Sequence, residues 1–113
     1  MVGRVALCDD HPVVLPVLYG ILDGDVVFRT APGEKLIAAV LHRPVAFEVD
    51  DYDAHTATGW SVNVVGTPEE IVHPDELDRV HELDLPCWAG EARDRYVRIR
   101  TVEVTGRSIA ASA

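Results

Sequence analysis

The sequence predicts a mainly β protein, built as a six-stranded antiparallel β-barrel with two short helices. Apolar runs of strand length, rich in Val and Leu, recur along the chain, and tight-turn residues separate the first three of them. Only two segments show apolar residues at helical spacing, and the connections between the predicted elements are short. Short connections favour antiparallel neighbours in a closed or nearly closed barrel over the crossovers of a parallel sheet.

The first half of the chain predicts three strands and a helix. Gly3 to Cys8 and Pro12 to Leu22 flank a short polar turn, so they form a hairpin. Asp23-Gly24-Asp25 then predicts a second tight turn into a strand that begins at Val26, because Asp-Gly supplies the positive φ that hairpin connections need. Apolar residues at helical spacing follow from Glu34 to His42.

The second half predicts three more strands and a second helix. Val45 to Asp50 alternates apolar and polar residues, which indicates a strand with one buried face. A fifth strand runs from Trp60 to Val72, in which Pro68 marks a bulge or an edge. Pro74 to Leu83 has helical spacing with acidic residues in its first turn, and Tyr96 to Val104 predicts the last strand.

Length and charge limit the classes of protein to consider. The chain has 113 residues, enough for one domain over residues 1–109, and we expect the small residues 110–113 to form a disordered tail. The formal net charge of −9 disfavours nucleic acid and anionic membranes as partners. No apolar stretch reaches the about 18 residues of a membrane span, and the start lacks a signal-peptide pattern, so we expect a cytoplasmic protein.

The sequence does not predict a metal site. Cys8 and Cys87 lie in apolar surroundings without CxxC spacing, so we expect two buried thiols rather than a disulfide or a ligand pair. Asp50, Asp51 and Asp53 resemble a cation-binding cluster, but carboxylates clustered at a strand end are more often a solvated loop, which is the interpretation that we prefer. The five histidines are scattered without ligand spacing, and we expect them on the surface.

Two cationic features are candidates for binding an anion. Lys35 is the only lysine, and it stands where an apolar run passes through Pro and Gly into the first predicted helix. The free N–H groups of a helix start favour phosphate, although an ordinary connection is the alternative interpretation. On the last strand, Tyr96, Arg98 and Arg100 alternate with apolar residues. That polar face is either a solvated sheet or a cationic wall that faces a partner subunit's cofactor.

Several segments, in their order along the chain, resemble the pyridoxamine 5′-phosphate oxidase-like family, and most closely its branch of nitroimidazole-resistance flavoproteins. The segments are Val2-Gly3-Arg4-Val5-Ala6, Pro12 to Val17, Phe28 to Leu36, Val45 to Asp50, Gly59-Trp60-Ser61-Val62, Pro86 to Gly90 and Val104-Thr105-Gly106-Arg107. The resemblance implies a split β-barrel that forms a homodimer and binds flavin mononucleotide (FMN) in two symmetry-related grooves at the subunit interface.

The resemblance also implies which residues contact the flavin. The implied cofactor-binding residues are Phe28, Arg29, Thr30, Ala31, Lys35, Trp60, Ser61 and Arg107. Lys35 is expected on the phosphate, the backbone before it near the ring, and Trp60 and Ser61 along the groove. Two departures leave the specific reaction open, because Glu34 stands where the oxidases tend to have arginine and Arg29 where the nitroimidazole branch often has histidine.

No nucleophile–base pair emerges from the spacing of residues, so any catalysis must come from the cofactor. We therefore expect an FMN-dependent oxidoreductase that acts on a small-molecule substrate. One alternative is a deazaflavin-dependent reductase, for which Arg29, Arg98 and Arg107 are the candidate cations along the groove. Another is a non-catalytic protein that binds flavin or haem.

Overall fold

Six antiparallel strands form a closed barrel, as the sequence predicts. The computed structural model describes residues 2–8, 10–30, 41–85 and 95–110, with the side chain of Thr30 excepted. The elements are β1 (Val2–Cys8), β2 (Pro12–Leu22), β3 (Asp25–Thr30), β4 (Val45–Asp53), β5 (Thr58–Glu70), α1 (Pro74–His81) and β6 (Arg95–Ile109). The strand order is β1-β2-β3-β6-β5-β4, and β4 pairs back with β1 to close the barrel.

The turn between β2 and β3 confirms the prediction made from Asp-Gly. Leu22 pairs with Asp25, which leaves a two-residue loop. Both loop residues have positive φ, 52° at Asp23 and 85° at Gly24. This is the backbone pattern of the turns whose twist matches a β-hairpin, and glycine adopts it without steric cost.

The barrel interior holds the main hydrophobic core. Alternate residues of β1 through β6 point inward, and the core side chains are Val5, Leu7, Val17, Tyr19, Val26, Phe28, Val45, Phe47, Val64, Val97 and Ile99. Tyr19 and Phe47 meet edge to face with ring centroids 4.8 Å apart. The period of two along each strand therefore decides which side chains are unavailable to a ligand outside the barrel.

A second, smaller core lies outside the barrel beneath α1. Its buried residues are Leu22, Val27, Ile71, Val80, Leu85 and Tyr96. The helix begins with Pro74 and places Asp75 and Glu76 in its first turn, where acidic side chains complement the helix dipole. Within the described ranges, no helix is long and apolar enough to cross a membrane.

Strands β4, β5 and β6 continue past the barrel as a three-stranded extension, formed by Asp50–Asp53, Thr58–Asn63 and Thr105–Ile109. The register runs without interruption to the pair Gly59 and Ile109. The last strand thus extends five residues beyond its predicted end at Val104. The apolar alternation that predicts a strand ends at Val104, because the rest of β6 is exposed on both faces and has no buried apolar side.

The irregularity in β5 lies at a glycine rather than at Pro68. The register of β5 against β6 shifts between Val65 and Gly66, opposite Val102. A Cβ at Gly66 would lie 2.1 Å from the carbonyl oxygen of Arg100, so the two backbones approach too closely for a side chain. Pro68 pairs with β6 only, since the pairing with β4 ends at Gly66, and the predicted edge position is confirmed.

Some expectations are corrected and others fall outside the described residues. Cys8 is exposed on β1, contrary to the prediction of a buried thiol, because it alternates with the inward-facing Leu7. All five histidines are exposed, as expected. Cys87, the tail beyond Ala110 and nearly all of the predicted helix Glu34 to His42 lie outside the described ranges.

Candidate functional site

The first group of predicted site residues lies at the end of β3. Phe28 pairs with Val97 and is 1% exposed, because its side chain points into the barrel. Arg29 and Thr30 pair with Tyr96 and Arg95. Because the phenyl ring of Phe28 is buried in the core, a ligand outside the barrel can contact the backbone of β3 at this position but not the ring.

The guanidinium of Arg29 is held by two groups that the sequence did not reveal. Arg29 Nη1 donates a hydrogen bond to the carbonyl oxygen of Leu85, and the guanidinium lies 5.5 Å from the centre of the Tyr96 ring. Tyr96 is itself buried and also meets His81 edge to face. The contact with Leu85 joins residues 56 positions apart, so local spacing carries no signal for it.

The second group lies on the extension. Ser61 pairs directly with Arg107, so a hydroxyl and a guanidinium share one face of the sheet. Trp60 pairs with Ser108 and points to the opposite face, where it is 45% exposed. The structure therefore brings Ser61 and Arg107 together and separates Trp60 from them by the thickness of the sheet.

Two carboxyl groups flank Ser61 and Arg107. Asp50 pairs with Ser61, and Glu48 lies two residues earlier on the same face of β4. Arg4 Nη1 is 3.1 Å from Glu48 Oε1 and 3.6 Å from Asp50 Oδ2. The hydrogen bond with Asp50 raises the pKa of the Glu48 carboxyl above its usual range. The alternation of apolar and acidic residues in β4 predicts that Glu48 and Asp50 share a face, but it does not predict their contact with Arg4.

The other face of the extension carries a shallow pocket of about 190 Å³. Its lining residues are Asp51, Asp53, Thr58, Gly59 and Trp60. Asp51 and Asp50 project to opposite faces, so the acidic stretch is divided between the two sides of the sheet. In the part of the chain that the structure describes, no three His, Cys, Asp or Glu side chains lie together as a metal site.

Arg98 is directed at α1 and not at the solvent. It is 3% exposed, forms an ion pair with Glu76 of α1, and has its Nε 3.8 Å from Asp25 Oδ2. Of the two interpretations left open for this face, a solvated sheet is therefore wrong for Arg98, which pairs with α1, and for Tyr96, which lies in the core beneath it. Arg100 is more exposed and pairs with Glu69, its Nε 2.6 Å from the carboxylate.

The two groups of site residues lie at opposite ends of β6. Arg29 is opposite Tyr96 at one end, and Ser61 is opposite Arg107 at the other. Arg107 follows Tyr96 by eleven positions, roughly 35 Å along the strand. Ala31 and Lys35, the other predicted cofactor-binding residues, lie outside the described ranges.

Comparison with known proteins identifies the family. The family model for pyridoxamine 5′-phosphate oxidase matches residues 1–108. The chain belongs to the pyridoxamine 5′-phosphate oxidase family. An uncharacterised protein from Mycobacterium tuberculosis is 36% identical to this chain, in a match that covers 90% of this chain and 70% of that protein.

Solved structures agree with the family assignment. A FAD binding protein from Mycobacterium smegmatis is 30% identical to this chain and superposes on it with a TM-score of 0.86. The match covers 98% of this chain and 87% of that protein. A candidate 5-nitroimidazole antibiotic resistance protein from Bacteroides thetaiotaomicron has a TM-score of 0.69 over 95% of this chain and 76% of its own. At 15% identity, it shows a shared fold and no more. Both neighbours share the fold of this chain.

Proposed function

We propose that this protein binds a flavin, FMN in the first instance, between two copies of the chain and uses it as an oxidoreductase on a small-molecule substrate. Membership of the pyridoxamine 5′-phosphate oxidase family supports the class of cofactor. So does the similarity to a FAD binding protein at 30% identity. The fold alone would not carry this conclusion, because one fold hosts many functions.

The distance between the two groups of site residues, one at the end of β3 and one on the extension, supports a flavin site that is shared by two subunits. Along β6, Ser61 and Arg107 lie roughly 35 Å from the end where Arg29 sits, which is longer than an FMN molecule. One flavin therefore contacts both groups only when each comes from a different subunit. A two-fold dimer pairs the β3 end of one chain with the extension of its partner, twice.

The extension supplies the apolar surface that such a dimer needs. Large apolar side chains are exposed on it and beside it, namely Tyr52, Trp60, Val102, Val104 and Ile109. Val102 is 76% exposed at the bulge. By register, Trp60 and Val104 lie on one face of the sheet, and Tyr52 and Ile109 lie on the other. Exposed large apolar side chains are typical of interaction surfaces, and a homodimer would remove them from water.

The polar groups of the extension suit the ring of a flavin better than its phosphate. Ser61 and Arg107 offer hydrogen-bond donors, but Asp50 lies in register beside Ser61 and repels an anion. Donors to the carbonyl oxygens of the isoalloxazine fit this mixed environment. We assign the phosphate to Lys35, as the resemblance implies, and the ring to the backbone of β3 and to Ser61 and Arg107 of the partner chain.

When bound, the flavin supplies hydride or electron transfer. The chain's own residues would orient it: the Ser61 hydroxyl and the Arg107 guanidinium donate hydrogen bonds to the ring. Trp60 lies on the opposite face of the sheet, so it is not part of this ring contact. A paired acid and base is not required, which agrees with the lack of one in the sequence. The substrate remains a small molecule of unspecified class.

Titration of the purified protein tests the proposed function directly. Absorbance and fluorescence are followed as FMN, FAD and a deazaflavin are added under matched conditions. Micromolar or tighter FMN binding, with one flavin per chain, is the expected result. No saturable binding of any flavin would contradict the proposed function.

The same titration addresses the alternatives. A deazaflavin coenzyme needs cations along its acidic tail, and one of the three predicted cations, Arg98, is buried in ion pairs. Deazaflavin binding without FMN binding would nevertheless replace the FMN proposal. A Soret band on reconstitution with haem, in the absence of flavin binding, would favour the non-catalytic haem-binding alternative.

A further inference from the structure

Arg29 connects β3 to the segment that follows α1. Its Nη1 donates to the carbonyl oxygen of Leu85, and its guanidinium lies over the Tyr96 ring. Both partners belong to the small core beneath α1. A planar guanidinium satisfies a carbonyl acceptor and an aromatic face at the same time, which an ammonium group does less well.

Helix α1 is in turn attached to the barrel through charged side chains. Arg98 of β6 pairs with Glu76 in the first turn of the helix, and Arg79 of the helix donates to Asp23 in the β2–β3 turn. Arg98 differs from the other arginines in these pairs because it is 3% exposed. Removing Glu76 would leave the buried guanidinium with the longer contact to Asp25, at 3.8 Å, so this pair has more influence on the helix than an exposed pair.

A chain of packed contacts therefore runs from Glu76 to the end of β3. Glu76 and Arg98 hold the start of α1, Val80 packs in the core beneath it, and Leu85 belongs to that same core. The Leu85 carbonyl then accepts the hydrogen bond from Arg29. Thr30 and the predicted ring-binding backbone follow Arg29 immediately in the chain.

We infer that Arg29 is a positioning residue: its side chain holds the β3 edge of the flavin site against the α1 segment, and the Glu76–Arg98 pair sets that position. The inference rests on the proposed function and deepens it. It replaces a simpler role for Arg29, that of a second cation on the phosphate. The two roles differ in what they predict for a flavin that has no phosphate.

Riboflavin separates the two roles because it has the same ring as FMN and no phosphate. For Arg29→Ala, a positioning role predicts that FMN and riboflavin lose affinity by the same factor, about tenfold. A phosphate contact predicts a loss for FMN alone. Arg29→Lys keeps the charge, so it restores FMN binding if Arg29 contacts phosphate and fails to restore either ligand if the planar guanidinium is required.

Glu76→Gln tests the link to α1, with Asp75→Asn as its matched control. Both variants remove one carboxylate from the first turn of α1, but Asp75 is exposed, and among the described residues its ion-pair partner is His73, at 4.0 Å. Hydrogen exchange is measured over residues 26–30 in the ligand-free protein. Glu76→Gln is expected to speed exchange there and to weaken FMN and riboflavin equally, whereas Asp75→Asn leaves both readouts within twofold of the wild type.

Each outcome decides the inference. It is overturned if Glu76→Gln and Asp75→Asn behave alike in hydrogen exchange, or if Arg29→Ala weakens FMN alone. Failure of the proposed function appears differently, as a wild-type protein that binds neither flavin. In that case the exchange data on the ligand-free protein still establish or overturn the coupling between α1 and β3.

Discussion

At the scale of single residues, the carboxyl of Glu48 shows how the site's charges affect the fold. Its pKa is raised, mainly by the hydrogen bond with Asp50, so the folded protein holds this proton more tightly than the unfolded chain does. Ionised Glu48 therefore destabilises the fold at neutral pH, and the effect disappears as the pH falls below the ordinary carboxyl range.

Glu48→Gln should accordingly stabilise the protein at pH 7, by less than about 1 kcal/mol, because the group is only partly buried. The gain should shrink towards zero near pH 4. Urea unfolding at several pH values measures this difference, with Glu103→Gln at an exposed position on β6 as the control. A variant that is less stable than the wild type at pH 7 would show that the Arg4 contact dominates instead.

Lys35 is the second residue with a specific prediction. Lys35→Ala should weaken FMN binding by tenfold or more and leave riboflavin binding nearly unchanged, because an ammonium contact with phosphate is lost. Isothermal titration with both ligands measures the two affinities, and Arg43→Ala controls for the loss of one positive charge. Equal losses for both ligands would argue against a phosphate contact.

Individual residues also mark the limit of prediction from sequence. The segment from Phe28 to Lys35 was recognisable as a candidate site, and alternation along a strand places Phe28 inside the barrel. The partners of Arg29 were not predictable, because Leu85 and Tyr96 reach it only through tertiary packing. The same is true of Arg98, whose spacing on β6 predicted a polar face that α1 in fact covers.

At the scale of elements, the close approach of the β5 and β6 backbones at the bulge depends on one glycine, Gly66. A Cβ at Gly66 would lie 2.1 Å from a backbone oxygen of Arg100, and backbone cannot move aside as a side chain can. Gly66→Ala should therefore destabilise the protein by about 2 kcal/mol or more. Gly106→Ala is the matched control on β6, where the added Cβ meets its nearest atom at 3.3 Å. Chemical unfolding measures both, and equal stabilities would contradict the close approach.

Most elements were predictable because each carries a local signal. The Asp-Gly turn, the alternation in β4 and the acidic first turn of α1 all have physical causes that act within a few residues. The end of β6 was not predictable, since Thr105 to Ile109 pairs with β5 through backbone bonds and has no buried face. Its pairing decides where Arg107 lies, so the missed segment belongs to the candidate site.

At the scale of the whole molecule, the exposed extension is the feature that a monomer leaves unexplained. Val104→Asp places a charge directly beside the extension, at a side chain that is 59% exposed, and should convert a dimer to monomers with loss of flavin binding. Val72→Asp is the matched control, because Val72 is also exposed but follows the end of β5 that is opposite the extension. Light scattering measures the mass of each variant. A wild-type protein that is monomeric with flavin bound would contradict the shared site.

Mixing two defective variants tests the two-chain site most directly. Lys35→Ala removes the expected phosphate contact at one end, and Arg107→Ala removes the ring contact at the other. After the two proteins are unfolded together and refolded, half of the dimers carry one of each chain, and one site in each mixed dimer is intact. The two-chain site predicts that about one quarter of all sites regain wild-type FMN affinity. Recovery of no sites, when each variant alone still forms dimers, would show that each flavin is bound within a single chain.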